Sequence, residues 1–348
     1  MVDKMKFGVL IRAHQAEVHE RPIPELGDNE VLIKQEACNI CTTDYGQWMG
    51  LREHQPYPMA GGHEVSGIVV KKGKNVRKDL YIGDRVAYMH YFCGECDACR
   101  SGYTSDCINN PGFPKWPDGY YGFFGFADYN VKDAKLLIKM NKDLPPEQAG
   151  FLEPVSTVIQ GAKRIKIIPG ETVVVVGAGT MGLINAQVAR LYGGRVIITE
   201  MMERKIEKAR KLGFEDVINI SKEDPAKKVK ELTNGKGADV IIMAVGNSKA
   251  NQQALDMLKK LRGKILFFAA GFPIPELKIS SNDIHYRKME LIGTYNADID
   301  SFFDAAEYLN KRLINVQPLI EESFPLEYIQ KAFEIASIPG NYRVSVKL

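Results

Sequence analysis

The sequence has 348 residues, of which 45% are hydrophobic and 26% are charged. Its 46 basic and 43 acidic side chains leave a formal net charge of +3. This length and composition are typical of a globular protein of about two domains, and the dispersed charge argues against nucleic acid or a membrane surface as a partner. The chain has neither a leader-like start nor a run of about 18 apolar residues. We therefore expect a cytoplasmic protein with reduced cysteines.

The first half of the chain predicts a mostly β domain. Short β-like runs such as 31–34, 66–70 and 85–88 alternate with turns rich in Gly, Asp and Asn, a pattern typical of strands joined by tight connections. The sequence pattern changes near Glu153 and Pro154, where the short β-like runs end and a helical stretch begins. A domain boundary is predicted at this point.

Cys41, His63, Glu64 and Glu153 are candidate ligands of a catalytic metal. A catalytic zinc needs about three protein ligands and one exchangeable position, and a thiolate, an imidazole and a carboxylate meet that need. These residues are far apart in the sequence. Taken singly, His63 could be a core histidine and Glu153 a charge in a domain linker.

Four further cysteines lie in one short window, at Cys93, Cys96, Cys99 and Cys107. The two-residue gaps let consecutive thiolates turn toward one point, and the longer gap lets the chain return to complete a tetrahedron. Four sulfurs without an open position indicate a structural Zn²⁺ site. Two disulfides or an iron–sulfur cluster are the alternatives, and reduced cysteines favour the metal.

The second half predicts a parallel sheet covered on both faces. Segments with helical spacing, such as 205–212 and 251–261, separate most of its apolar runs, and this alternation is typical of a doubly wound α/β fold. The alternation of apolar runs and helical segments ends at about residue 293. After it, the sequence predicts a helix at 300–309 and a β-like run at 342–347. The six apolar runs are 172–176, 195–199, 217–220, 239–244, 264–269 and 290–292.

A dinucleotide-binding loop follows the first of these runs. Gly177 permits a tight turn, Gly179 lets the backbone approach a pyrophosphate, and Gly182 allows close packing of the helix on the strand. The helix predicted from Met181 to Tyr192 begins beside Thr180, and its free amide groups would face the phosphates.

The acidic residue at the end of the next run bears on the choice of cofactor. Glu200 can accept hydrogen bonds from both ribose hydroxyls and would repel a 2′-phosphate, which favours NAD over NADP. Arg204 and Lys205 follow closely and keep NADP open, and Glu200 could also simply end a strand.

Taken together, these motifs resemble those of the zinc-dependent medium-chain alcohol dehydrogenases, in particular the branch of polyol (sorbitol-like) and threonine dehydrogenases. The resemblance runs from about Gly27 onward. It implies a GroES-like catalytic domain at 1–154 and 294–348, with a zinc lobe at about 90–110, and a Rossmann domain at 155–293. The motifs that carry it are Cys41-Thr-Thr43-Asp44, Gly62-His63-Glu64, Gly83-Asp84-Arg85-Val86, the four-cysteine lobe, Glu153-Pro154 and the Gly177 loop.

The resemblance implies an NAD-dependent interconversion of a secondary alcohol and its ketone, with a polyol as the first candidate substrate. A catalytic zinc would be held by Cys41, His63 and a carboxylate from Glu64 or Glu153, and we expect the two glutamates to exchange during turnover. Thr43 would accept the alcohol proton. Threonine-type amino alcohols, simple secondary alcohols and phosphorylated polyols remain alternatives, whereas a non-enzymatic zinc scaffold is disfavoured.

The resemblance also implies cofactor contacts and an oligomer. Thr157 would contact the nicotinamide and Arg343 the pyrophosphate, although each of these residues can equally be a core or surface residue. A homodimer or tetramer is expected, with the strand near 290–292 as a pairing edge. The residues expected to pack around the cofactor are Val245, Ala269 and Thr294.

Three departures from the resemblance stand out. Thr42 replaces the usual glycine after the zinc cysteine, and Gly46 replaces the histidine that passes the substrate proton to solvent in many members. The stretch 113–124 is longer and more aromatic than usual. Trp116, Tyr120 and Tyr121 within it either line the substrate pocket or serve packing or a subunit contact.

Overall fold

The computed structural model describes residues 4–52, 54–271 and 273–348. Within them the strands are β1 (Lys4–Arg12), β2 (Gln15–Pro22), β3 (Glu30–Ile40), β4 (Met59–Ala60), β5 (Glu64–Lys72), β6 (Arg85–Tyr88), β7 (Tyr121–Gly122), β8 (Tyr129–Asp133), β9 (Leu137–Met140), β10 (Thr172–Val176), β11 (Arg195–Glu200), β12 (Val217–Asn219), β13 (Val240–Met243), β14 (Lys264–Phe267), β15 (Glu290–Gly293), β16 (Ile320–Pro325) and β17 (Arg343–Lys347). The helices are α1 (Thr42–Trp48), α2 (Asp97–Arg100), α3 (Pro146–Ala149), α4 (Leu152–Ile165), α5 (Thr180–Leu191), α6 (Glu203–Lys211), α7 (Pro225–Leu232), α8 (Ser248–Met257), α9 (Ser281–Arg287), α10 (Ile299–Asn310) and α11 (Ile329–Ala336).

The chain divides into two compact units. The first contains the residues up to Ser156 together with Ala297–Arg312 and Val316–Leu348. The second contains Thr157–Asn296 and Leu313–Asn315.

The first unit is built on two sheets. One has the order β16-β17-β3-β5-β6-β9, with β8 also paired to β3, and the other has the order β2-β1-β4-β7. The register of β3 is decisive for the site, because Asn39 lies opposite Glu64 of β5 and Ile40 lies opposite Val344 of β17. The end of β3, the start of β5 and the start of β17 therefore meet at one end of the sheet.

The core of the first unit follows from the two-residue period of its strands. Val31 and Ile33 of β3 and Val65 and Val69 of β5 are fully buried, as alternating positions on one face of a sheet must be. Helix α11 packs against β17 and β2, and its Phe333 ring stacks on the ring of Trp48 at 6.4 Å between centroids. This packing fixes α1, which carries part of the site.

The second unit contains the predicted parallel sheet. Its strand order is β12-β11-β10-β13-β14-β15, and every neighbouring pair is parallel. This is the doubly wound Rossmann order, with the first strand at the switch point. The fold class predicted from the sequence, a doubly wound Rossmann sheet plus a mostly β GroES-like unit, is confirmed.

One predicted helix is shorter than its periodicity indicates. Helix α8 ends at Met257, whereas the apolar spacing continues to residue 261. The chain leaves the helix because its backbone pairs with the segment before β13: Ala238 donates to the carbonyl of Met257, and Lys259 donates to that of Ala238, each at 2.9 Å. Those tertiary hydrogen bonds outweigh the local helical preference.

In the part of the chain that the structure describes, every helix is too short or too polar to cross a lipid bilayer.

Candidate active site

The four cysteines of the window form one cluster. The sulfur atoms of Cys93, Cys96, Cys99 and Cys107 all lie within 4.8 Å of one another, and those of Cys93 and Cys99 are 3.8 Å apart. Zinc–sulfur bonds of about 2.3 Å give tetrahedral sulfur–sulfur edges of about 3.8 Å, whereas a disulfide requires about 2.05 Å. The thiols are free, and the donor set fits a structural zinc ion.

Backbone amides prepare this cluster for a metal. The amides of Glu95 and Cys96 each donate to Cys93 Sγ at 3.3 Å, and Asn109 Nδ2 donates at 3.4 Å. These amide hydrogen bonds lower the pKa of the Cys93 thiol to about 6, whereas burial raises that of Cys99 to about 11. A thiolate is the form that binds zinc, so the amides favour metal uptake.

The cysteine lobe is tied to helix α10 by two reciprocal hydrogen bonds. The amide of Ser105 donates to Asp298 Oδ1, and the amide of Ile299 donates to Thr104 Oγ1, each at 2.9 Å. The lobe is therefore fixed to the first unit by more than its own chain connections.

The second cluster begins at the N-terminus of α1. Cys41 is the residue before the helix, and Asp44 Oδ2 accepts a hydrogen bond from its amide at 2.9 Å. Asp44 Oδ1 accepts from the amide of Gly62 at 3.2 Å and lies 3.6 Å from His63 Nδ1. One buried carboxylate therefore caps the helix and positions the loop that carries His63.

Cys41, His63 and Glu64 converge on one point. Their sulfur, nitrogen and carboxylate oxygen atoms lie within 4.8 Å of one another. A thiolate, an imidazole and a carboxylate are a donor set that zinc accepts, and three protein ligands leave a fourth position open. The residues predicted from the sequence therefore fit a catalytic zinc ion.

A buried arginine neutralises Glu64. Glu64 is 0% exposed and Arg343 is 6% exposed. Arg343 Nη2 donates to Glu64 Oε1 at 2.8 Å, and Nε lies 3.0 Å from both carboxylate oxygens. Arg343 Nη2 also lies 3.5 Å from Cys41 Sγ. The pyrophosphate contact predicted for Arg343 stays a prediction, since the structure engages its guanidinium with Glu64.

The pKa values of Glu64 and His63 are both raised, for different reasons. Burial raises the pKa of Glu64, although Arg343 opposes the shift. Burial alone would lower the pKa of His63, but the charge of Asp44 and the Cys41 thiol raise it well above its usual value. A bound cation would reverse this, because it favours the neutral imidazole and the thiolate.

Glu153 lies apart from the three converging residues and is paired with a histidine. It stands at the start of α4, and its Oε1 lies 2.9 Å from His90 Nε2. Burial would raise the pKa of Glu153, but the His90 hydrogen bond lowers it below the usual value. The His90 ring packs edge-on against Phe302 at 5.3 Å between centroids. Thr43 is half-buried in the first turn of α1.

The glycine loop has the geometry that its sequence predicts. Gly177 follows β10 with φ +100°, and Gly179 is the residue before α5. A Cβ atom at Gly182 would lie 2.0 Å from the carbonyl oxygen of Gly177, so only glycine allows the helix to start so close to the strand. Thr180 and Met181 form the first turn of α5, the part of a helix whose backbone amides would face the phosphates of a bound dinucleotide.

Glu200 is buried and holds the glycine loop. Its Oε2 accepts from the amide of Ala178 at 2.9 Å, and its Oε1 accepts from the amides of Met201 and Met202 at 2.7 and 2.9 Å. The carboxylate is therefore fixed at the end of β11 beside the loop. Lys205 Nζ lies 3.8 Å from the position of a Cβ atom on Gly179.

The other predicted cofactor residues of the second unit stand at the same edge of its sheet. Val245, Ala269 and Thr294 follow β13, β14 and β15 by one or two residues, where the carboxyl ends of parallel strands form a ligand crevice. Val245 Cγ1 lies 2.7 Å from the position of a Cβ atom on Gly177. The hydroxyl of Thr294 is buried and has no hydrogen-bond partner within the described residues. Thr157 is half-buried in α4.

The aromatic insertion packs on the small sheet of the first unit. The Tyr120 ring contacts those of Phe7 and Phe124 edge-on, and its hydroxyl lies 2.7 Å from His19 Nδ1. Trp116 contacts Phe124 in the same way and donates to a backbone carbonyl at 3.0 Å. These contacts account for two of the three predicted pocket aromatics as packing residues.

The sequence patterns assigned no role to Asp44 or His90, which the structure places beside the candidate metal ligands, and they placed Arg343 at the pyrophosphate rather than beside Glu64. Asp44 was visible as the third residue of α1 after a cysteine, which is the position of a capping carboxylate. His90 lies three residues before Cys93, and no local sequence pattern predicts its contact with Glu153. The Arg343 contact with Glu64 joins positions 279 residues apart.

Fold and site together define a class, the metal-dependent dehydrogenases. Residues 27–142 match the alcohol dehydrogenase GroES-like domain, and residues 180–311 match the zinc-binding dehydrogenase domain. The chain belongs to the zinc-dependent medium-chain alcohol dehydrogenase family and is an oxidoreductase of that type.

Curated relatives cover nearly the whole chain. The L-threonine 3-dehydrogenase of Thermococcus kodakarensis is 33% identical over 350 aligned residues, covering 96% of this chain and 95% of its own. The sorbitol dehydrogenase of Halalkalibacterium halodurans is 30% identical, covering 91% of each. Both branches named by the sequence resemblance are therefore represented.

Solved structures share the fold throughout. A protein of Sinorhizobium meliloti, described as a zinc-binding dehydrogenase and bound to NADP, is 26% identical, with a TM-score of 0.87 over 99% of each chain. The benzyl alcohol dehydrogenase of Acinetobacter calcoaceticus is 24% identical, with a TM-score of 0.87 over 100% of each chain, and shows the fold alone.

Proposed function

We propose that this chain interconverts a secondary alcohol and its ketone with NAD⁺ as hydride acceptor. The observation that carries the proposal is the convergence of Cys41, His63 and Glu64 on one point, and Thr43 follows Cys41 by two residues in the first turn of α1. When bound, zinc at this point would polarise the alcohol hydroxyl, and the nicotinamide would accept the hydride.

The residues around this point have separate tasks. Thr43 accepts the hydroxyl proton of the substrate through its own side-chain oxygen and passes it to water or to ribose. Asp44 holds Cys41 and His63 in position, because its carboxylate accepts hydrogen bonds from the amide of Cys41 and from the amide of Gly62, the residue before His63. By holding the reacting groups in a fixed geometry, these residues lower the entropic cost of bringing them together.

We further propose that Glu64 and Glu153 alternate as the third ligand. The two carboxylates are held differently: Glu64 pairs with Arg343, and Glu153 pairs with His90. Each carboxylate is therefore held by a protein group of its own when it is not bound to the metal. Absorption spectra of the Co²⁺-substituted Glu64→Gln and Glu153→Gln variants would differ from the wild type in both cases if both carboxylates bind, and in one case if only one does.

NAD is proposed in preference to NADP because of Glu200. A fixed carboxylate at the end of β11 accepts ribose hydroxyls and repels a 2′-phosphate. Because the similar protein of Sinorhizobium meliloti is bound to NADP, the affinities for both cofactors have to be measured. Titration with NADH and NADPH should show that NADH binds more tightly. Glu200→Gln should reduce the difference between the affinities for the two cofactors. Equal affinity for the two cofactors in the wild type would contradict the proposal.

A polyol is the first candidate substrate, and a threonine-type amino alcohol is the second. The sorbitol dehydrogenase relative supports the first, and the L-threonine 3-dehydrogenase relatives support the second. Reduction of NAD⁺ with polyols, phosphorylated polyols, simple secondary alcohols and L-threonine would separate them.

The matched pair Cys41→Ala and Cys38→Ala tests the site itself. Cys38 is a buried core cysteine near the cluster, and removal of its sulfur should leave activity largely intact. Cys41→Ala should lose turnover and one zinc ion per chain. Full activity of Cys41→Ala would overturn the proposed function.

We also propose a cytoplasmic homo-oligomer, dimeric or tetrameric, paired through β15. This strand is at the edge of its sheet, and Tyr286 and Tyr295 near it are 72% and 86% exposed. An unpaired edge is a template for another strand. Light scattering of the wild type and of Ile292→Lys would test the pairing, and a monomeric wild type would exclude it.

A further inference from the structure

Gly46 leaves one face of α1 open beside Thr43. Residues three apart on a helix share a face, with about 5–6 Å between their Cβ positions, so Thr43 and position 46 are neighbours. The Cβ of a helical residue also tilts toward the N-terminus, which is the end that carries Cys41. Whatever fills the place of a side chain at position 46 therefore lies near the proposed proton acceptor.

The chain itself brings Arg52 to this place. The helix ends in a Schellman motif, in which Leu51 donates to the carbonyl of Gly46 at 2.9 Å and Gly50 donates to that of Gln47 at 2.8 Å. Gly50 has φ +75°, so the chain reverses at this point. A Cβ atom on Gly46 would lie 3.2 Å from Arg52 Nε and 3.6 Å from its Cδ.

The loop that carries Arg52 is fastened to the helix. The carbonyl of Arg52 accepts from the amide of Gln55 at 3.0 Å. Gln47 Nε2 donates to the carbonyl of Pro56 at 2.9 Å, and the hydroxyl of Tyr57 donates to the carbonyl of Gln47 at 2.6 Å. The position of Arg52 beside Gly46 is therefore set by backbone geometry.

The guanidinium of Arg52 has no anionic partner among residues 4–52, 54–271 and 273–348. It forms neither an ion pair nor a hydrogen bond there, although the residue is half-buried. A partly desolvated cation gains free energy when an anion binds to it. Its planar donors fit a carboxylate or a phosphate with two parallel hydrogen bonds.

We propose that Arg52 recognises an anionic group, a carboxylate or a phosphate, on the alcohol substrate. The substrates would be hydroxy acids or phosphorylated alcohols in preference to neutral polyols, with the anionic group a few bonds from the carbinol carbon. Arg52 is then the residue that determines which substrates bind, while Thr43 accepts the proton of the substrate hydroxyl. This inference rests on the proposed function and narrows its substrate class.

Matched substrates test the proposal. Sorbitol, gluconate and sorbitol 6-phosphate form one set, and L-threonine and L-threoninamide form another. Wild type, Arg52→Gln, Arg52→Lys and the surface control Arg210→Gln are compared by kcat/KM. Arg52→Gln should lower kcat/KM for the anionic members by about 10- to 100-fold, the range of a charge-assisted hydrogen bond. Arg52→Lys should recover part of the loss, and kcat/KM for sorbitol and L-threoninamide, the members without an anionic group, should stay within about twofold.

Three results would overturn the proposal. One is a wild-type preference, in each set, for the member without an anionic group. Another is an equal loss in Arg52→Gln for members with and without an anionic group, which indicates a structural role. The third is a rise in the KM for NAD⁺ alone, which assigns Arg52 to the cofactor phosphates. The carboxylate and phosphate members separate the two anion sources.

A binding measurement keeps this inference separate from the proposed function. Calorimetric titration of the zinc-loaded protein with NADH and then gluconate, sorbitol 6-phosphate or L-threonine requires no turnover. Anion binding that Arg52→Gln abolishes, in a protein that oxidises no alcohol, would support the Arg52 site and reject the dehydrogenase. Turnover of alcohols with no effect of Arg52→Gln on binding or kinetics would do the reverse.

Discussion

Removal of Arg343 should destabilise the metal-free first unit strongly, because it leaves a carboxylate buried without a counter-charge. Glu64 is 0% exposed, and its only ion pair among the described residues is with Arg343, at 2.8 Å. Breaking a buried pair by deleting one partner costs about 3–5 kcal/mol. Arg343→Met should therefore lower the free energy of unfolding by about that amount, and Glu64→Gln should have a similar effect.

The size of the loss can be read from tryptophan fluorescence. Both tryptophans, Trp48 and Trp116, lie in the first unit, so their emission reports its unfolding selectively. With a shift of about 2–4 °C for each kcal/mol in a domain of this size, the midpoint should fall by roughly 10 °C. The exposed pair Arg312 and Asp143 provides the control, since Arg312→Met should cost less than about 1 kcal/mol.

Two further measurements decide whether charge is the cause. The double variant Glu64→Gln/Arg343→Met should lose less than the sum of the single variants, because neither charge is then left alone. Zinc loading should reduce the loss in Arg343→Met, since a divalent cation beside Glu64 offers another counter-charge. An Arg343→Met midpoint within about 2 °C of the wild type, or strictly additive losses, would refute the reasoning.

Three other outcomes are expected. Cys99→Ser should remove one zinc ion per chain, measured by elemental analysis, and lower the midpoint of the first unit; unchanged zinc content would contradict the four-sulfur site. Gly182→Ala should weaken NADH binding by about tenfold or more. The new Cβ would lie 2.0 Å from the carbonyl oxygen of Gly177, so the loop must move, at a cost on the order of 1–3 kcal/mol. An NADH affinity equal to that of the wild type in a fluorescence titration would count against this loop geometry. Burial lowers the pKa of Lys132 to about 8 from 10.5, so the folded chain binds fewer protons than the unfolded chain between those pH values. The stability advantage of Lys132→Met over wild type should consequently shrink as pH rises from 8 to 10.5, and an advantage that grows over this range in urea unfolding would reverse the sign of the argument.

The features that could be predicted from the sequence are local or strongly periodic. The six strands of the second unit read as continuous apolar runs because parallel strands are buried on both faces. The four cysteines and the three loop glycines each lie within a short stretch, so their spacing fixes their geometry. The convergence of Cys41, His63 and Glu64 needed the family resemblance, since spacing alone does not join them.

The features that could not be predicted depend on tertiary register. The pairing of Arg343 with Glu64 follows from β17 lying beside β3 and β3 beside β5. The contact of His90 with Glu153 joins positions 63 residues apart. Arg52 reaches Gly46 only because a Schellman turn reverses the chain. The end of α8 likewise depends on backbone hydrogen bonds to a segment distant in sequence.

The position of β17 in its sheet has a consequence for the order in which the protein matures. This strand lies between β16 and β3, and the residues of the second unit are synthesised between β3 and β17. During synthesis the β3–β5 pair therefore emerges long before the strand that supplies Arg343. Until that strand arrives, Glu64 lacks the ion pair with Arg343 that it has in the folded protein, and loop closure over such a separation adds an entropic cost. A nascent chain at this stage would gain most from early zinc binding, so metal supply should affect the yield of folded protein as well as its activity.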